Sequence, residues 1–518
     1  MAEPVLARPT AGGPGVDYGD VQGLVRFGYS RMTEACFFLL AVRDPASARS
    51  WLATAPVADA VGRKPPPATA MQVAFTAEGL RALGVPAALI EGFAPEFISG
   101  MAGEESRSRR LGDVGANAPT GWRWGGPGRV PHLLVLLYAE PGRLADWQRT
   151  IQGERWAAAF QEIECLTTSN LDGTEPFGFK DGISQPVLDW DRERRVEGDQ
   201  LGYSNLLALG EFLLGYPNEY GKYTERPLVK ESDDPRRELL PAEDAPGRRD
   251  LGRNGTYLVF RELRQDVLGF WRFLDRQANS NAAERQRLAE AMVGRRMSGE
   301  SLVPAGGPPI AGVGPDPEDT RQNQFTYASD EAGTRCPFGA HIRRANPRNA
   351  DLPGGTGGLL SRLIRILGFR RQGIRGDLVA STRFHRILRR GREYGPGLAL
   401  NEALRLDRAD GVERGLHFIC LNANISRQFE FVQNAWIMGT KFNGLTGESD
   451  PLLGNREPIP GCPRTDGFST PRENTLPRRI TGMPQFVTVR GGGYFFMPGL
   501  RALRYIAASP ITKGDKKP

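Results

Sequence analysis

Cysteine and histidine are scarce in this sequence, and their scarcity excludes several classes of protein. The 518 residues include five cysteines and four histidines. No CxxC spacing occurs among the cysteines, which are Cys36, Cys165, Cys336, Cys420 and Cys462. An odd number of cysteines without that spacing argues against a disulfide framework and against a structural zinc site. The histidines form no HExxH or HxxxH pattern, so a zinc hydrolase has little support.

Long apolar runs and several catalytic motifs are also missing. No apolar run reaches about 18 residues, so we expect no membrane-spanning helix. The N-terminal residues lack the basic and apolar regions of a signal peptide, and a reducing cytoplasm fits best. GxSxG and a P-loop are absent, which weakens serine hydrolase and nucleotide-binding interpretations. The net charge of +7 forms no basic face interleaved with aromatic residues, so nucleic acid is not an expected partner.

What is present is the composition of a globular protein, with 40% hydrophobic and 25% charged residues. Strand and helix patterns interleave from about residue 20 to 200, with apolar strands at 36–42 and 132–140. A similar order restarts after a polar, proline-rich connection at 225–252, with strands at 255–263 and 416–425. The pattern predicts two related α+β halves. We expect a flexible leader over residues 1–17, an N-terminal domain over 18–224 and a C-terminal domain over 225–518.

One segment, residues 353–376, breaks this order and looks like an insertion. It is flanked by glycines. A helical wheel places four residues on one side, Ser361, Arg362, Arg365 and Gly368, and four on the other, Leu359, Leu363, Ile366 and Leu367. A basic amphipathic segment can lie on a membrane surface. So short a helix is marginal in water, however, and needs a partner surface, of which the protein itself is the nearer. We therefore favour a lid over membrane contact.

The stretch "PFGFKDGISQP", residues 176–186, places a carboxylate in an apolar, glycine-bearing run. An Asp-Gly pair such as Asp181–Gly182 usually marks a turn. The alternative is a carboxylate at the wall of a pocket, where small residues let a flat group approach the backbone. Spacing alone leaves both interpretations open.

The four histidines divide into two groups. His132 opens a predicted strand and His417 lies within one, so both are expected to be structural. His341 lies in "CPFGAHIRRANPR" and His385 in "RFHRILRRGREYG". One protein ligand is too few for zinc but is enough for haem, whose porphyrin supplies the other four nitrogens.

Three segments of the chain resemble motifs of the dye-decolourising peroxidase family. "GFKDG" at 178–182 matches the GxxDG motif of that family. "AHIRRANPR" at 340–348 resembles the segment that holds its proximal haem histidine, and "RILRRGREYG" at 386–395 resembles its distal arginine segment. The segments occur in the order of the family, and the resemblance covers most of residues 20–500.

The resemblance implies an α+β fold of two ferredoxin-like domains, with antiparallel sheets, peripheral helices and haem b in the C-terminal half. His341 would be the axial iron ligand, with His385 as an alternative. Asp181 would be the distal acid–base group, with the backbone of Gly182 and Ile183 close to the porphyrin edge. Arg389 would contact the haem and act on the distal side.

The choice of Arg389 over Arg390 follows the family's pattern, which places the arginine six positions before the glycine that ends "EYG". Alternation along a strand would direct Arg390 to the other face. A carboxylate near the proximal histidine normally increases its electron donation, and Asp450 in "SDPLLG" is the candidate. A plain turn at Asp450 is the alternative.

The function implied is a peroxidase that reduces hydrogen peroxide and oxidises an organic donor, dye- or phenol-like, through a high-valent iron–oxo intermediate. A haem carrier or sensor is the first alternative, and an assembly protein with inert motifs is the second. Asp181 and Arg389 argue against a carrier, since a carrier needs an axial ligand but no distal acid–base group. Trp122 and Trp124, in a glycine- and arginine-rich loop, are candidates for relaying electrons to bulky donors at the surface.

Overall fold

The computed structural model describes residues 15–192, 203–349, 381–406, 411–472 and 475–508. Residues 1–14 of the predicted leader lie outside these ranges, as does the whole predicted insertion at 353–376. The lid and membrane interpretations of the insertion therefore stay predictions.

The N-terminal half contributes four long antiparallel strands. They are β1 (Glu34–Val42), β2 (Thr69–Phe75), β3 (Leu133–Ala139) and β4 (Phe160–Thr167), paired in the order β2-β3-β1-β4. Every residue of β3 is buried, because both faces of the sheet are covered. That explains why β1 and β3 are nearly continuous apolar runs rather than alternating ones. The strands predicted at 36–42 and 132–140 are confirmed.

Helices connect and cover these strands. Asp44 caps the helix after β1 by accepting a hydrogen bond from the Ser47 backbone N–H (2.6 Å), and Pro45 occupies its first position. The helices of this half are α1 (Gly23–Arg26), α2 (Pro45–Thr54), α3 (Ala77–Ala82), α4 (Ala87–Ile90), α5 (Pro95–Ser99), α6 (Glu105–Leu111), α7 (Leu144–Ile151) and α8 (Glu154–Ala159). Short 3₁₀ turns lie at Gly115–Asn117 and Pro119–Gly121.

A connecting region of short elements follows. Its strands are β5 (Val187–Leu188), β6 (Leu206–Leu207), β7 (Leu228–Lys230), β8 (Leu240–Pro241) and β9 (Arg248–Asp250). β5 pairs with β6, and β9 pairs with both β7 and β8. Its 3₁₀ turns are Leu209–Glu211 and Glu231–Asp233.

The C-terminal half repeats the strand order of the first. Its strands are β10 (Thr256–Gln265), β11 (Leu388–Arg389), β12 (Arg392–Tyr394), β13 (Gly415–Asn422), the hairpin β14 (Phe468–Arg472) and β15 (Thr475–Ile480), and β16 (Val487–Met497). The order β11-β13-β10-β16 matches that of the N-terminal half, and β12 also pairs with β13. β10 and β13 confirm the strands predicted at 255–263 and 416–425.

The helices of this half are α9 (Val267–Gln277), α10 (Ala282–Val293), α11 (Pro317–Asn323), α12 (His341–Ala345), α13 (Ser381–Phe384), α14 (Leu400–Arg405) and α15 (Leu500–Ala508), with 3₁₀ turns at Tyr327–Ser329 and Phe442–Gly444. Between β13 and β14 the helical segments Ser426–Glu430 and Val432–Ile437 are wound as π-helix. Wide turns of this kind are rare and often lie at functional sites.

The two halves form one sheet, because β16 pairs with β2 where Phe496 faces Phe75. Successive residues of β1 point to opposite faces, so Phe37 and Phe38 belong to separate apolar clusters. The predicted fold class, α+β with two ferredoxin-like domains, is confirmed. The boundary at 224/225 stays a prediction. Within the described ranges, no helix is long and apolar enough to cross a membrane.

Candidate active site

A cavity of about 250 Å³ is lined by residues of both halves. Phe177 and Phe179 come from the segment before β5, while Phe325, Phe418 and Phe429 come from the C-terminal half. The π-wound segment between β13 and β14 supplies Phe429 and further apolar side chains to the wall. Mostly apolar walls with a few polar groups are typical of a cofactor site.

Asp181 and Arg389 meet at this cavity although 208 residues separate them, and Nη1 of Arg389 donates a hydrogen bond to Oδ1 of Asp181 at 2.7 Å. Arg389 belongs to β11, and its backbone N–H donates to the side-chain oxygen of Gln185 (3.0 Å). The Gly182 N–H also donates to Asp181 Oδ1 (2.6 Å). Burial raises the pKa of Asp181, but Arg389 and the Gly182 N–H outweigh it and hold the pKa below its usual value. The carboxylate is therefore ionised over most of the pH range.

The loop that carries Asp181 is built around a second carboxylate. Glu175 accepts hydrogen bonds from the backbone N–H groups of Phe177 and Phe179, each at 3.0 Å, and from the side chain of Gln265 at 2.7 Å. It lines the cavity, and burial raises its pKa to about 7. The sequence analysis did not single out Glu175, because the motif begins after it.

Gly182 adopts a φ of 78°, a conformation that favours glycine. No described atom lies within 4 Å of the point where a side chain would begin, so this side of the backbone is open. Ile183 lines the cavity directly, whereas Gly182 is exposed beside it.

Arg390, the neighbour of Arg389, points away from the cavity. Its Nε donates to the carbonyl oxygen of Leu24 at 2.8 Å, and its Nη2 donates to that of Val25 at 3.0 Å. The alternation expected along the strand is thus present, and Arg389 is the one of the two that lines the cavity.

His341 begins α12 and lines the cavity. Its Nδ1 lies 2.9 Å from Oδ2 of Asp450, whose side chain is fully buried. The other oxygen of Asp450 accepts the backbone N–H groups of Leu452 and Leu453, each at 2.9 Å. Burial lowers the pKa of His341, but Asp450 outweighs it and raises the pKa above the usual value. A carboxylate at Nδ1 fixes the ring proton there, and Nε2, which has no partner in the described chain, is free to bind a metal.

His385 lines the same cavity in a different setting. Its Nδ1 bonds to the carbonyl oxygen of Arg427, and its ring stacks on Phe431 with centroids 3.6 Å apart. Burial lowers its pKa to about 4. His385 has no carboxylate partner among the described residues, which distinguishes it from His341.

The remaining histidines support the sheet. Nδ1 of His132 accepts the backbone N–H of Val42 at 2.9 Å. Nε2 of His417 donates to the carbonyl oxygen of Thr167 at 3.1 Å, which ties β13 to the end of β4. Neither lines the cavity.

Three further arginines line the cavity and were missed by the sequence analysis. Arg295, Arg348 and Arg386 hydrogen-bond to neutral groups and form no ion pair with a described carboxylate. Arg386 also donates to the Tyr203 hydroxyl at 2.8 Å. Burial raises the pKa of Tyr203, yet Arg348 and Arg386 lower it to about 8. This arginine cluster concentrates positive charge without an ion-pair partner among the described carboxylates, and such a cluster favours an anion.

Trp122 and Trp124 are buried, with 3% and 0% of their surface exposed. The indole N–H of Trp124 donates to Glu262 at 2.9 Å, and its ring packs on Phe260 with centroids 4.9 Å apart. The two side chains are core residues, so neither can contact an electron donor at the protein surface.

The residues at the cavity fit haem better than a bare metal ion. No group of three or more His, Cys, Asp or Glu side chains in the described chain could hold a metal ion. A single histidine with a free Nε2 is sufficient when a porphyrin supplies four nitrogens. The apolar walls suit its rings, and the arginine cluster suits its two carboxylates.

Comparison with known proteins agrees with this geometry. No protein-family model matches the chain. The chain is 27% identical over 525 residues to the dye-decolorizing peroxidase msp1 of Mycetinis scorodonius, covering 95% of this chain and 88% of that protein. It is 29% identical over 453 residues to the multifunctional dye peroxidase DyP2 of an Amycolatopsis species, covering 83% of this chain and 81% of the relative.

Among solved structures, a fungal DyP-type peroxidase from Auricularia auricula-judae superposes with a TM-score of 0.69 at 25% identity. The superposition covers 96% of this chain and 100% of the other. The fold, the cavity and these relatives define a peroxidase. In sequence and in fold, the chain is similar to dye-decolourising peroxidases over more than four fifths of its length.

Proposed function

We propose that this chain binds haem b and uses hydrogen peroxide to oxidise an organic electron donor, dye- or phenol-like. The single observation that carries the proposal is the hydrogen-bonded pair Asp181–Arg389, which shares one cavity with His341. A carrier or sensor would need only the histidine. The acid–base pair therefore favours turnover over simple haem binding.

Asp181 is assigned the proton transfer. Its lowered pKa keeps it ionised, so it can accept the proton of the inner peroxide oxygen and return it to the outer oxygen, which leaves as water. Asp181 is half-buried, and Gly182 fixes the carboxylate by its N–H. The carboxylate is thus held in one place and remains accessible to a small substrate such as hydrogen peroxide.

Arg389 is assigned the stabilisation of negative charge. A guanidinium remains protonated at all relevant pH values and offers several donors in a fixed plane. Only one donor of Arg389, Nη1, bonds to Asp181, and its side chain is 31% exposed. The remaining N–H groups can donate to the departing oxygen while Asp181 moves the proton.

His341 would hold the haem iron through Nε2, and Asp450 is the positioning residue that contacts its Nδ1. The Asp450 carboxylate accepts the Nδ1 proton, fixes the ring and increases the electron density that the imidazole donates. Bound haem would supply the iron at which the oxygen–oxygen bond is cleaved and oxidising equivalents are held. Arg348 and Arg386 would hold its carboxylates.

We further propose a cytoplasmic location, which five free thiols support. The electron donor is assigned only by class.

The test of the proposed function is an absorption spectrum followed by peroxide. The purified chain reconstituted with haem should show a Soret band that changes on adding hydrogen peroxide and returns when a phenolic donor is added. A carrier or sensor would show the band without the donor-dependent return. Absence of the band after reconstitution would refute haem binding altogether.

A further inference from the structure

Two thiols lie on neighbouring strands of the N-terminal half, β1 and β4. Cys36 on β1 is paired with Thr167, and Cys165 on β4 is paired with Phe38. Cys165 is therefore the diagonal neighbour of Cys36 on the same face of the sheet, and the two thiols are close enough for each to shift the pKa of the other. Cys36 belongs to the apolar cluster that contains Phe38, and Cys165 packs against that cluster, so the two thiols lie at the edge of the core.

The two thiols differ in exposure and in acidity. Cys36 is fully buried, whereas Cys165 is partly exposed on β4, the last strand of the sheet. The hydrogen bond with Cys36 lowers the pKa of Cys165, while burial and the charges of Glu162 and Glu164 act in the opposite direction. The thiolate is the nucleophile in reactions with peroxide, so Cys165 is the thiol that reacts first.

A buried partner completes the arrangement. Cys36 accepts a hydrogen bond from the side-chain amide of Gln148, on α7, at 2.8 Å. The pKa of Cys36 is raised, chiefly by the hydrogen bond with Cys165 and by burial. Cys36 is thus protected from solvent yet lies beside Cys165, which is the position of a resolving cysteine.

We propose that Cys36 and Cys165 form a peroxide-sensing thiol pair that is oxidised to a reversible disulfide. The Cys165 thiolate attacks one oxygen of hydrogen peroxide, the oxygen–oxygen bond breaks, and the leaving hydroxide takes a proton and departs as water. The sulfur of Cys36 then attacks the sulfenic acid formed on Cys165, and a second water leaves. Two thiols lose two electrons in total, and one peroxide is reduced to two waters.

The geometry makes this disulfide easy to reduce again. Diagonal neighbours on paired strands are typically about 7–8 Å apart, which is beyond the roughly 7 Å that a disulfide spans without backbone movement. Among the described strands β4 pairs only with β1, so it can move to close the gap. A strained bridge has a more oxidising potential and is labile, unlike a structural disulfide.

The experiment uses full-length haem-loaded protein, reduced and desalted, then treated with hydrogen peroxide in small molar excess. Alkylation in denaturant should show free thiols falling from five to three. Non-reducing peptide mapping should show one linked pair, Cys36–Cys165. Cys336, Cys420 and Cys462 serve as internal controls and should remain alkylatable. Incubation of the folded protein with a thiol reductant should restore five thiols.

Variants separate the steps. Cys165→Ser should leave Cys36 a thiol, and Cys36→Ala should leave a sulfenic acid on Cys165 that a dimedone probe labels. His341→Ala should still form the bridge after losing the spectral response to peroxide, so failure of the proposed haem chemistry can be told apart from failure of the thiol pair. The proposal is overturned if wild type keeps five thiols, if Cys165 reaches sulfinic acid without a linked peptide, or if the bridge is lost with His341.

Discussion

Haem and its dimethyl ester should bind this chain with very different affinities. The ester keeps the porphyrin and iron but removes the two negative charges that the arginine cluster is expected to hold. Hydrogen bonds to charged groups contribute about 1.5–3 kcal/mol each. Loss of one such bond at each carboxylate gives about 3–6 kcal/mol, which raises the dissociation constant about 10²–10⁴-fold at about 1.4 kcal/mol per tenfold.

The assay is titration of haem-free protein with each compound, followed by the Soret band, under identical salt and detergent. The double variant Arg348→Met/Arg386→Met completes a thermodynamic cycle, because methionine keeps much of the apolar stem and removes the charge. Its affinity for haem should fall towards that of the ester, and the difference between the two compounds should shrink. Arg390→Met, which changes a partly buried arginine that points away from the cavity, is the matched control.

Equal affinity of wild type for the two compounds would refute the reasoning, since it would mean that the cluster does not contact the carboxylates. An undiminished difference in the double variant would mean that other residues hold them. Either result would leave the assignment of His341 as the iron ligand unchanged. Only the proposed orientation of the porphyrin in the cavity would have to be revised.

Three other outcomes are expected. His341→Ala should lose the axial-histidine signal in electron paramagnetic resonance, whereas His385→Ala should retain it; the reverse pattern would exchange the two assignments. Asp181→Asn and Arg389→Leu should each slow the reaction with peroxide about 10²–10⁴-fold in stopped flow, with donor oxidation little changed. Wild-type rates in both would refute the distal assignment. Arg389→Leu should also shift the acid limb of the pH–rate profile of the peroxide reaction to higher pH, because a protonated Asp181 cannot accept a proton and Arg389 lowers the pKa of Asp181. If the limb does not shift, it does not report the ionisation of Asp181.

The sequence predicted the fold where local patterns determine it. Apolar runs marked β1, β3, β10 and β13, and the repeated order of elements indicated two halves. The pairing of β16 with β2 could not be predicted, because it depends on one contact, Phe496 with Phe75, between residues 421 positions apart (496 − 75).

The site was predictable to the extent that its residues lie in short motifs. Asp181, His341 and Arg389 were found because each belongs to a recognisable segment. Asp450 lies 109 residues from His341, and only proximity in the fold distinguishes it from a turn residue. Arg295 lies outside the three segments, and Arg348 ends one of them without being distinguished there, since a buried arginine looks like any other arginine in a sequence.

The joining of the halves has a consequence for assembly. The second strand of one half pairs with the fourth strand of the other, so the repeat is head-to-tail. Contacts of this kind grow into open filaments unless the rotation between units closes a ring. Another chain could in principle extend the sheet at either end. On β4, at one end of the sheet, the exposed side chains of Gln161 and Glu162 oppose such pairing. At the other end, β11 and β12 are only two and three residues long, which leaves little strand to pair with. Replacing Glu162 with an uncharged β-branched residue would remove one barrier to fibre-like growth of the sheet.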